Sequence, residues 1–540
     1  MMTSHILLVI LLVLHIMSRG AANVFTSSAK MAELAATENA VLQAVTSSNI
    51  NKDVLKKFTQ SRHDVKRSLA EDGPGHPNAA YLLIKAFVTF WISQDKTREI
   101  ANILSDDKTT LPTESDLSGS KAAILRLERV YNLSASDILA GNYRGYQGPP
   151  LSPLDSYEIG KQAFTDGMLE QSERWLRLSV AEMNKDINLN VGTLEPGSSD
   201  VTSGQESGFT PLQRAGVLAV LGRVLAFKGK ADEARELYHA SVAVYPNHGD
   251  VTQLAIELDK FQGAQNVEEK DLLTTKLSQL CSRPKNHTLD VTRPYHVCRY
   301  KPSLFIPYLR YKVEILSLQP YVSLFYDVIH DFEIERLITF GKSQLIRASV
   351  EGDGHSMRRT SDLGWISDMQ EVTAARLSAR ITDVTGLDVT DRQPGGPSSG
   401  EPFQLVNYGL GGHYSAHFDI LKSQQTDYLR ESGERIATFL LYLSDVDIGG
   451  HTVFVDAGIS VAPVKGMALF WYNTNPALEQ EPLTLHAGCP VLKGHKWIAN
   501  KWIWTYGNMY RHPCGPSPNS THLKVERIVN RRRHNIHAPH

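Results

Sequence analysis

The chain has 540 residues, with Lys plus Arg at 56 against Asp plus Glu at 58 and a formal charge of −2. That balance gives no overall electrostatic reason for nucleic acid or an anionic membrane to be the main partner. The length leaves room for about three or four domains. Four cysteines are too few for a disulfide framework or a multi-zinc array.

Met1 to Ala22 reads as a secretory signal. Ile6 to Leu14 is an unbroken apolar run, extended to Met17, and Ser18, Gly20, Ala21 and Ala22 supply the small residues of a cleavage site. The run is short of the ~20 residues a membrane span needs, and no later stretch reaches that length. A lumenal protein follows, with Asn132, Asn286 and Asn519 as glycosylation sequons. In an oxidising compartment the cysteines are expected to pair. Cys281 with Cys298 and Cys489 with Cys514 is the simplest of the connectivities open to four cysteines.

Residues 23–150 read as helical: Met31, Leu34, Val41, Leu42 and Val45 recur at helical spacing, Gly73 to Pro77 interrupts, and Ala79 to Trp91 and Ala122 to Leu133 resume. Such a stripe suits core packing or a dimer seam. Residues 151–262 change to a helical repeat. Leu221, Gly222, Ala234, Tyr238 and Pro246 follow tetratricopeptide order, preceded by a weaker unit with Gly160 and Ser172 at its small positions. Stacked helix pairs of this kind offer a concave face for an extended peptide or act as a spacer. Gly192 to Pro211, rich in Ser and Gly, reads as a disordered insertion. Residues 263–318 read as a connector carrying the first cysteine pair.

From 319 to 515 the pattern turns to strands after one helix, Glu371 to Val384. Phe403–Tyr408, Ile436–Leu443, Thr452–Val455, Met467–Tyr472 and Trp497–Trp504 are short, rich in β-branched and aromatic residues, and separated by Gly-containing breaks. That spacing predicts a barrel or sandwich. Gln393 to Gly400 reads as a loop, and 516–540 as a basic, solvated tail with Arg531 to Arg533.

The chemistry concentrates at His417-Phe-Asp419. Residues two apart on an extended segment share a face, so both side chains reach one ion. A second histidine would complete a two-histidine, one-carboxylate set, which leaves positions open on iron(II). His486 lies between later strands, and Lys496 follows in Gly494 to Trp497 on the last one, where an ammonium inside a barrel needs an anion such as a ligand carboxylate. His-x-Asp alone is weak: His248-Gly-Asp250 repeats it after the repeat helix without further support.

On these residues the chain resembles the α subunit of animal collagen prolyl 4-hydroxylase. Further matches are Phe25 to Leu34, Gly75 to Asn78, Thr385 to Val389, Asn407 to Gly409, Arg435 to Thr438, Ser444 to Val446, Gly449-Gly450 with Thr452 to Phe454, Phe470 to Asn473, and Asn500 to Trp502. The resemblance implies an α+β multidomain protein. An all-α N-terminal dimerisation region and a TPR-like peptide-binding domain would precede a double-stranded β-helix (jelly-roll) dioxygenase domain. His417, Asp419 and His486 would bind Fe(II). Lys496 would pair with 2-oxoglutarate, helped by Tyr408 and Thr438 and walled by Trp502, while Tyr414 would face the peptide. Hydroxylation of proline at C4 in collagen-like X-Pro-Gly sequences, with L-ascorbate as a further cofactor, is the implied activity. Sequential cysteine pairing, an α2β2 tetramer with protein disulfide isomerase as β subunit, and an endoplasmic reticulum location are also implied. The ending Ala538-Pro-His540 lacks a retention signal, which suits a partner-held chain and equally suits secretion. The sequence departs from the family at Arg223 and Ala226, which align with groove tyrosines, at Val455 in place of a proline, and in the basic tail. The altered groove leaves another lumenal protein as an alternative substrate. A non-catalytic peptide-binding assembly subunit is the other alternative, opposed by the presence of all four site residues.

Overall fold

A computed structural model describes residues 25, 27–47, 75–91, 111–191, 209–260, 272–284, 297–348, 358–391, 398–421, 432–515 and 522. The signal segment, most of the Ser/Gly insertion, Asn286, Asn519 and nearly all of the basic tail lie outside the described residues. The chain forms two compact units. One comprises Val41–Asn102 and Leu111–Thr274, the other mainly Asn23–Ala40 and Thr275–His540.

The first unit is helical: α1 (Ser28–Ser47, whose start belongs to the second unit), α2 (Pro77–Ala86), α3 (Glu114–Tyr131), α4 (Ala135–Leu139), a hairpin of β1 (Asn142–Tyr143) and β2 (Tyr146–Gln147), α5 (Pro153–Thr165), α6 (Leu169–Val191), α7 (Pro211–Phe227), α8 (Ala231–Val244) and α9 (Gly249–Asp259). Prolines at the first turn and capping boxes at Ser152 and Thr210 fix where α5 and α7 start. The expected division at residue 150 is not a break in packing, because buried polar groups cross it. Glu128 on α3 accepts from the Trp175 indole at 2.9 Å and from Gln171 at 2.6 Å, both on α6. Asp155 accepts from Tyr81 at 2.8 Å and pairs with Lys85. Gly222 explains its small side chain: a Cβ there would meet Leu254 at 2.6 Å.

The second unit is built on a nine-stranded sheet in the order β3-β4-β5-β14-β10-β17-β8-β7-β6. Its strands are β3 (Val297–Pro302), β4 (Arg310–Leu318), β5 (Tyr321–Tyr326), β6 (Ile346–Arg347), β7 (Asp362–Ile366), β8 (Phe403–Tyr408), β10 (Arg435–Tyr442), β14 (Ala468–Tyr472) and β17 (Lys496–Trp504). A four-stranded sheet orders β13 (Ile459–Val461), β12 (Thr452–Phe454), β15 (His486–Gly488) and β9 (Tyr414–His417), and β11 (Val446–Gly449) pairs with β16 (Val491–Gly494).

The long sheet is covered on both faces, which is why β10 and β14 are apolar runs rather than alternating ones. On one face α11 (Asp331–Lys342) and α12 (Val372–Thr385) bury Leu337, Leu377 and Ile381 against Phe403, Phe439 and Phe470. On the other, Tyr408, Leu440, Trp471 and Ile498 pack with Phe454, Ile459 and Val461 of the small sheet.

Three expectations are corrected here. The connector over 263–318 is not a separate piece, since β3 and β4 extend the long sheet, with Tyr311, Val313 and Ile315 alternating inward along β4. Phe25 and Ser27–Ala40 fall in the second unit rather than with the helical region. The disulfide joins Cys281 to Cys489, with Cα atoms 5.6 Å apart, and Cys298 and Cys514 are exposed free thiols. The cause is the docking of α10 (Leu272–Cys281) on the small sheet: Ser460 donates to Leu280 O at 2.9 Å, Arg283 to Gly458 O at 3.0 Å, and Lys276 pairs with Asp456. Cys298 leaves instead on edge strand β3, opposite Glu314.

Candidate active site

β9 and β15 run antiparallel with His417 directly opposite His486. Two residues past His417 the chain turns inward and buries Asp419. The ligand atoms of these three residues all lie within 4.8 Å of one another, the only such His/Cys/Asp/Glu group among the described residues. Asp419 Oδ1 is 3.6 Å from His417 Nε2 and 3.7 Å from His486 Nε2.

The surroundings fix how each group presents itself. His417 Nδ1 lies 2.8 Å from Ser415 O, and His486 Nδ1 lies 2.9 Å from Thr484 O. A carbonyl oxygen only accepts, so Nδ1 carries a proton in both rings and the Nε2 atoms converge on Asp419. Burial and the neighbouring His417 ring push His486 down to about 4, against the opposing pull of Asp419, so its imidazole is neutral. Burial alone would raise the Asp419 carboxyl, but the His486 and His417 rings and the Thr438 hydroxyl outweigh it and hold it well below the usual range. Tyr414 stacks on His417 at 3.6 Å, and Trp471 packs against His486 at 4.9 Å.

Thr438, expected to help Lys496 with 2-oxoglutarate, faces Asp419. Its Oγ1 donates to Asp419 Oδ2 at 2.6 Å and accepts from Asn473 Nδ2 at 3.0 Å, so its proton is directed to the Asp419 carboxylate. The other expected residues line the same face of the long sheet. Lys496 stands opposite Tyr408 across β17 and β8, and Trp502 stands opposite Thr438 across β17 and β10. Lys496 is 1% exposed, with Nζ 4.9 Å from the centre of the Tyr408 ring. No carboxylate among the described residues pairs with it, and burial pushes its ammonium down to about 7. The Trp502 indole N–H is likewise buried without a hydrogen-bond partner. A cation and a donor of this kind, beside a His/Asp/His set, fit an anionic co-substrate next to a divalent ion.

Sequence reasoning gave no role to Arg435, Arg359 or Asn473. Arg435 donates to the carboxylate of Glu401 at 2.5 and 2.8 Å, lies 3.9 Å over the Trp502 ring, and reaches Asp419 O at 3.3 Å. Arg359, buried, lies 4.6 Å over the Tyr414 ring and donates to Gln404 at 2.9 Å. Arg435 and Asn473 lay within matched motifs, but no spacing marked what they touch. Val455, which stands in place of a proline, donates its N–H to Leu485 O at 2.9 Å beside His486, a bond proline could not make.

Comparison with known proteins agrees with this geometry. Residues 403–504 match the family described as 2OG-Fe(II) oxygenase superfamily, and 27–145 match the prolyl 4-hydroxylase alpha-subunit N-terminal region. The chain is 29% identical to human prolyl 4-hydroxylase subunit alpha-1 over 545 residues, 91% of this chain and 95% of that protein. It is 30% identical to the bovine subunit alpha-3 over 499 residues, 86% of this chain and 88% of that one. The chain belongs to the prolyl 4-hydroxylase alpha-subunit family. Among solved structures, a viral collagen prolyl hydroxylase from Paramecium bursaria Chlorella virus-1, in its 2OG complex, is similar at 25% identity and a TM-score of 0.28, covering 34% of this chain and 96% of that one.

Within this family member the other features singled out from sequence have places in the helical unit. His248 caps α9, its Nδ1 accepting from Asp250 N at 3.1 Å, while Asp250 pairs with Arg223 at 2.9 Å and Lys161 at 3.0 Å. Arg223 also holds Glu257 and lies 4.9 Å over Phe164. Ala226, aligned with a groove tyrosine, is buried in the helical core. Asn132 is exposed, in the left-handed conformation that ends α3.

Proposed function

We propose that this chain is the catalytic alpha subunit of a procollagen-proline 4-hydroxylase. The reaction takes peptidyl proline, O2 and 2-oxoglutarate to 4-hydroxyproline, succinate and CO2, in X-Pro-Gly sequences of collagen-like chains. The observation that carries this is the convergence of His417, Asp419 and His486 on one point, beside a buried Lys496 that has no protein anion. When bound, Fe(II) with 2-oxoglutarate supplies the oxidising chemistry that replaces the C4 hydrogen by hydroxyl.

The protein's own part is orientation and exclusion of water. Ser415 O and Thr484 O hold the two imidazoles with Nε2 facing inward, and Thr438 holds Asp419. Lys496 and Tyr408, with Trp502 as a wall braced by Arg435, select a carboxylate. Tyr414, stacked on His417, is the residue assigned to face the peptide.

The finer reading assigns the sheets of the second unit to a jelly-roll oxygenase core and the helix pairs of the first to a TPR-like peptide-binding domain. It places the protein in the endoplasmic reticulum lumen, with ascorbate as a cofactor and protein disulfide isomerase as β subunit of an α2β2 tetramer. Among the described residues no helix is long and apolar enough to cross a membrane. Arg223 favours a second reading, the same chemistry on another lumenal protein, because its guanidinium is committed to Asp250 and Glu257 where an aromatic face would suit polyproline II. The test compares proline-rich peptides with and without Gly after the target proline, following 2-oxoglutarate-coupled hydroxyproline formation. A requirement for the glycine supports the collagen-like reading, and indifference to it supports the second.

A further inference from the structure

The residues that immediately follow the predicted signal segment grip the strand that carries Tyr408. Ser27 Oγ donates to Asn407 Oδ1 at 2.7 Å, Ser28 Oγ reaches the same oxygen at 3.2 Å, and Ala29 N donates to it at 3.1 Å. Asn407 Nδ2 donates in return to Ser28 Oγ at 2.9 Å and approaches Lys496 O at 3.5 Å. Lys30 pairs at 2.5 Å with buried Asp362, which stands directly opposite Asn407 across β7 and β8. Beyond Tyr408, Leu410 N donates to Phe25 O at 3.0 Å. Phe25, Met31 and Leu34 are each 1% exposed, and Arg347 lies 5.4 Å over the Phe25 ring. All of these residues belong to one compact unit.

The chemistry explains why the grip is specific. The first turn of α1 has orphan N–H donors that need an acceptor, and Ser27 Oγ takes one, from Lys30 N at 3.3 Å. The Asn407 carbonyl takes another, while its two N–H groups return bonds to the serine and the neighbouring strand. A carboxamide, donor and acceptor in one plane, satisfies both sides at once. Asn407 is 0% exposed, so losing these partners would strand polar atoms in the interior. Successive residues on a strand point to opposite faces, so Asn407 lies on the side of β8 away from Tyr408.

We infer that Phe25 and Ser27 to Lys30 form an intramolecular clamp that positions Tyr408 and Lys496 for 2-oxoglutarate, with Asn407 as its positioning residue. The inference rests on the proposed co-substrate pocket. The clamp acts through the backbone of β8 and β17 and touches neither the metal ligands nor the peptide side of the site. Its loss therefore weakens co-substrate binding at constant turnover.

The test uses the full chain prepared with its partner subunit. Ser27→Ala/Ser28→Ala and Asn407→Ala are compared with Ser27→Thr/Ser28→Thr, which keeps the hydroxyls. Three quantities are read: 2-oxoglutarate Kd by equilibrium dialysis on the manganese(II)-loaded protein, KM against kcat, and amide hydrogen exchange over residues 404–410. The expected result is a five- to tenfold rise in Kd and KM for the alanine variants, tenfold being about 1.4 kcal/mol. kcat should stay within about twofold, exchange in β8 should accelerate, and the threonine pair should behave as wild type. Unchanged Kd with unchanged exchange overturns the clamp, as does a loss of kcat and folded protein at constant Kd. Lys496→Ala separates the two levels. If it leaves Kd unchanged, the pocket itself is misread; if it abolishes binding while the serine variants do nothing, only the clamp fails.

Discussion

His417-Phe-Asp419 and His248-Gly-Asp250 have the same pattern and opposite fates. In the first, both histidine partners of Asp419 turn their protonated Nδ1 to main-chain carbonyls and leave Nε2 facing the carboxylate, with His486 contributed from 69 residues downstream by strand pairing. In the second, the His248 ring is spent on the first turn of α9, and Asp250 is neutralised by Arg223 and Lys161. A ligand set needs donors whose competing partners have been removed; a cap and an ion pair are those competing partners. The motif is therefore decided by what lies around it.

The largest expected contrast is in metal binding. His417→Ala, Asp419→Ala or His486→Ala should each lower iron affinity and turnover by more than about 100-fold, since even the outer partners of such ligands are worth 10–100-fold. His248→Ala should leave both unchanged, measured by iron titration and by hydroxyproline formation on a short peptide. A loss of iron in the His248 variant would break the contrast.

Next in size is the buried cation. Lys496→Ala should raise 2-oxoglutarate KM by roughly 30-fold or more, the 2–5 kcal/mol typical of truncating one partner of a buried charge pair. Burial has lowered this ammonium to about 7 in the free protein, against an ordinary ~10.4. Pairing with a carboxylate needs the protonated form, so binding above about pH 7 must take up a proton. Kd is then expected to rise by up to about tenfold per pH unit above that point and to be flat below it. Dialysis across this range checks the sign; a Kd that falls with rising pH would contradict it.

The disulfide gives a test of stability rather than of binding. Non-reducing peptide mapping should recover Cys281 joined to Cys489. Cys281→Ser should cost about 2–5 kcal/mol, read from the denaturation midpoint of the second unit. Recovery of Cys281–Cys298 would contradict the docking of α10. The smallest effect is at the cap, where His248→Ala should cost only about 1 kcal/mol of helical-unit stability.

How much was legible follows the same physics. The strands β8, β10, β14 and β17 were readable because both of their faces are buried, which makes each a bounded apolar run. His417, Asp419, His486 and Lys496 were legible because few structural roles place those residue types in that order. β9 and β15 have four and three residues, too short for any period, yet they align the ligands. β4 alternates cleanly and was absorbed into the connector because nearby cysteines suggested a local loop. The cysteine pairing depends on α10 reaching a sheet some 180 residues later, as the Ser460–Leu280 bond shows, and nearness in sequence carries no such information. Asn407, Arg435 and Thr438 sat inside recognisable motifs, but only coordinates reveal that one grips the N-terminal segment, one braces Trp502 and one holds Asp419.

The central claim is tested most directly by incubating the purified enzyme with a (Pro-Pro-Gly)-type peptide, Fe(II), 2-oxoglutarate and O2, and quantifying hydroxyproline and succinate by mass spectrometry. The account predicts 4-hydroxyproline and succinate in equal amounts, both lost on iron chelation and in His417→Ala. Succinate without hydroxyproline on any proline-rich peptide, or hydroxyproline that persists in His417→Ala, would contradict it.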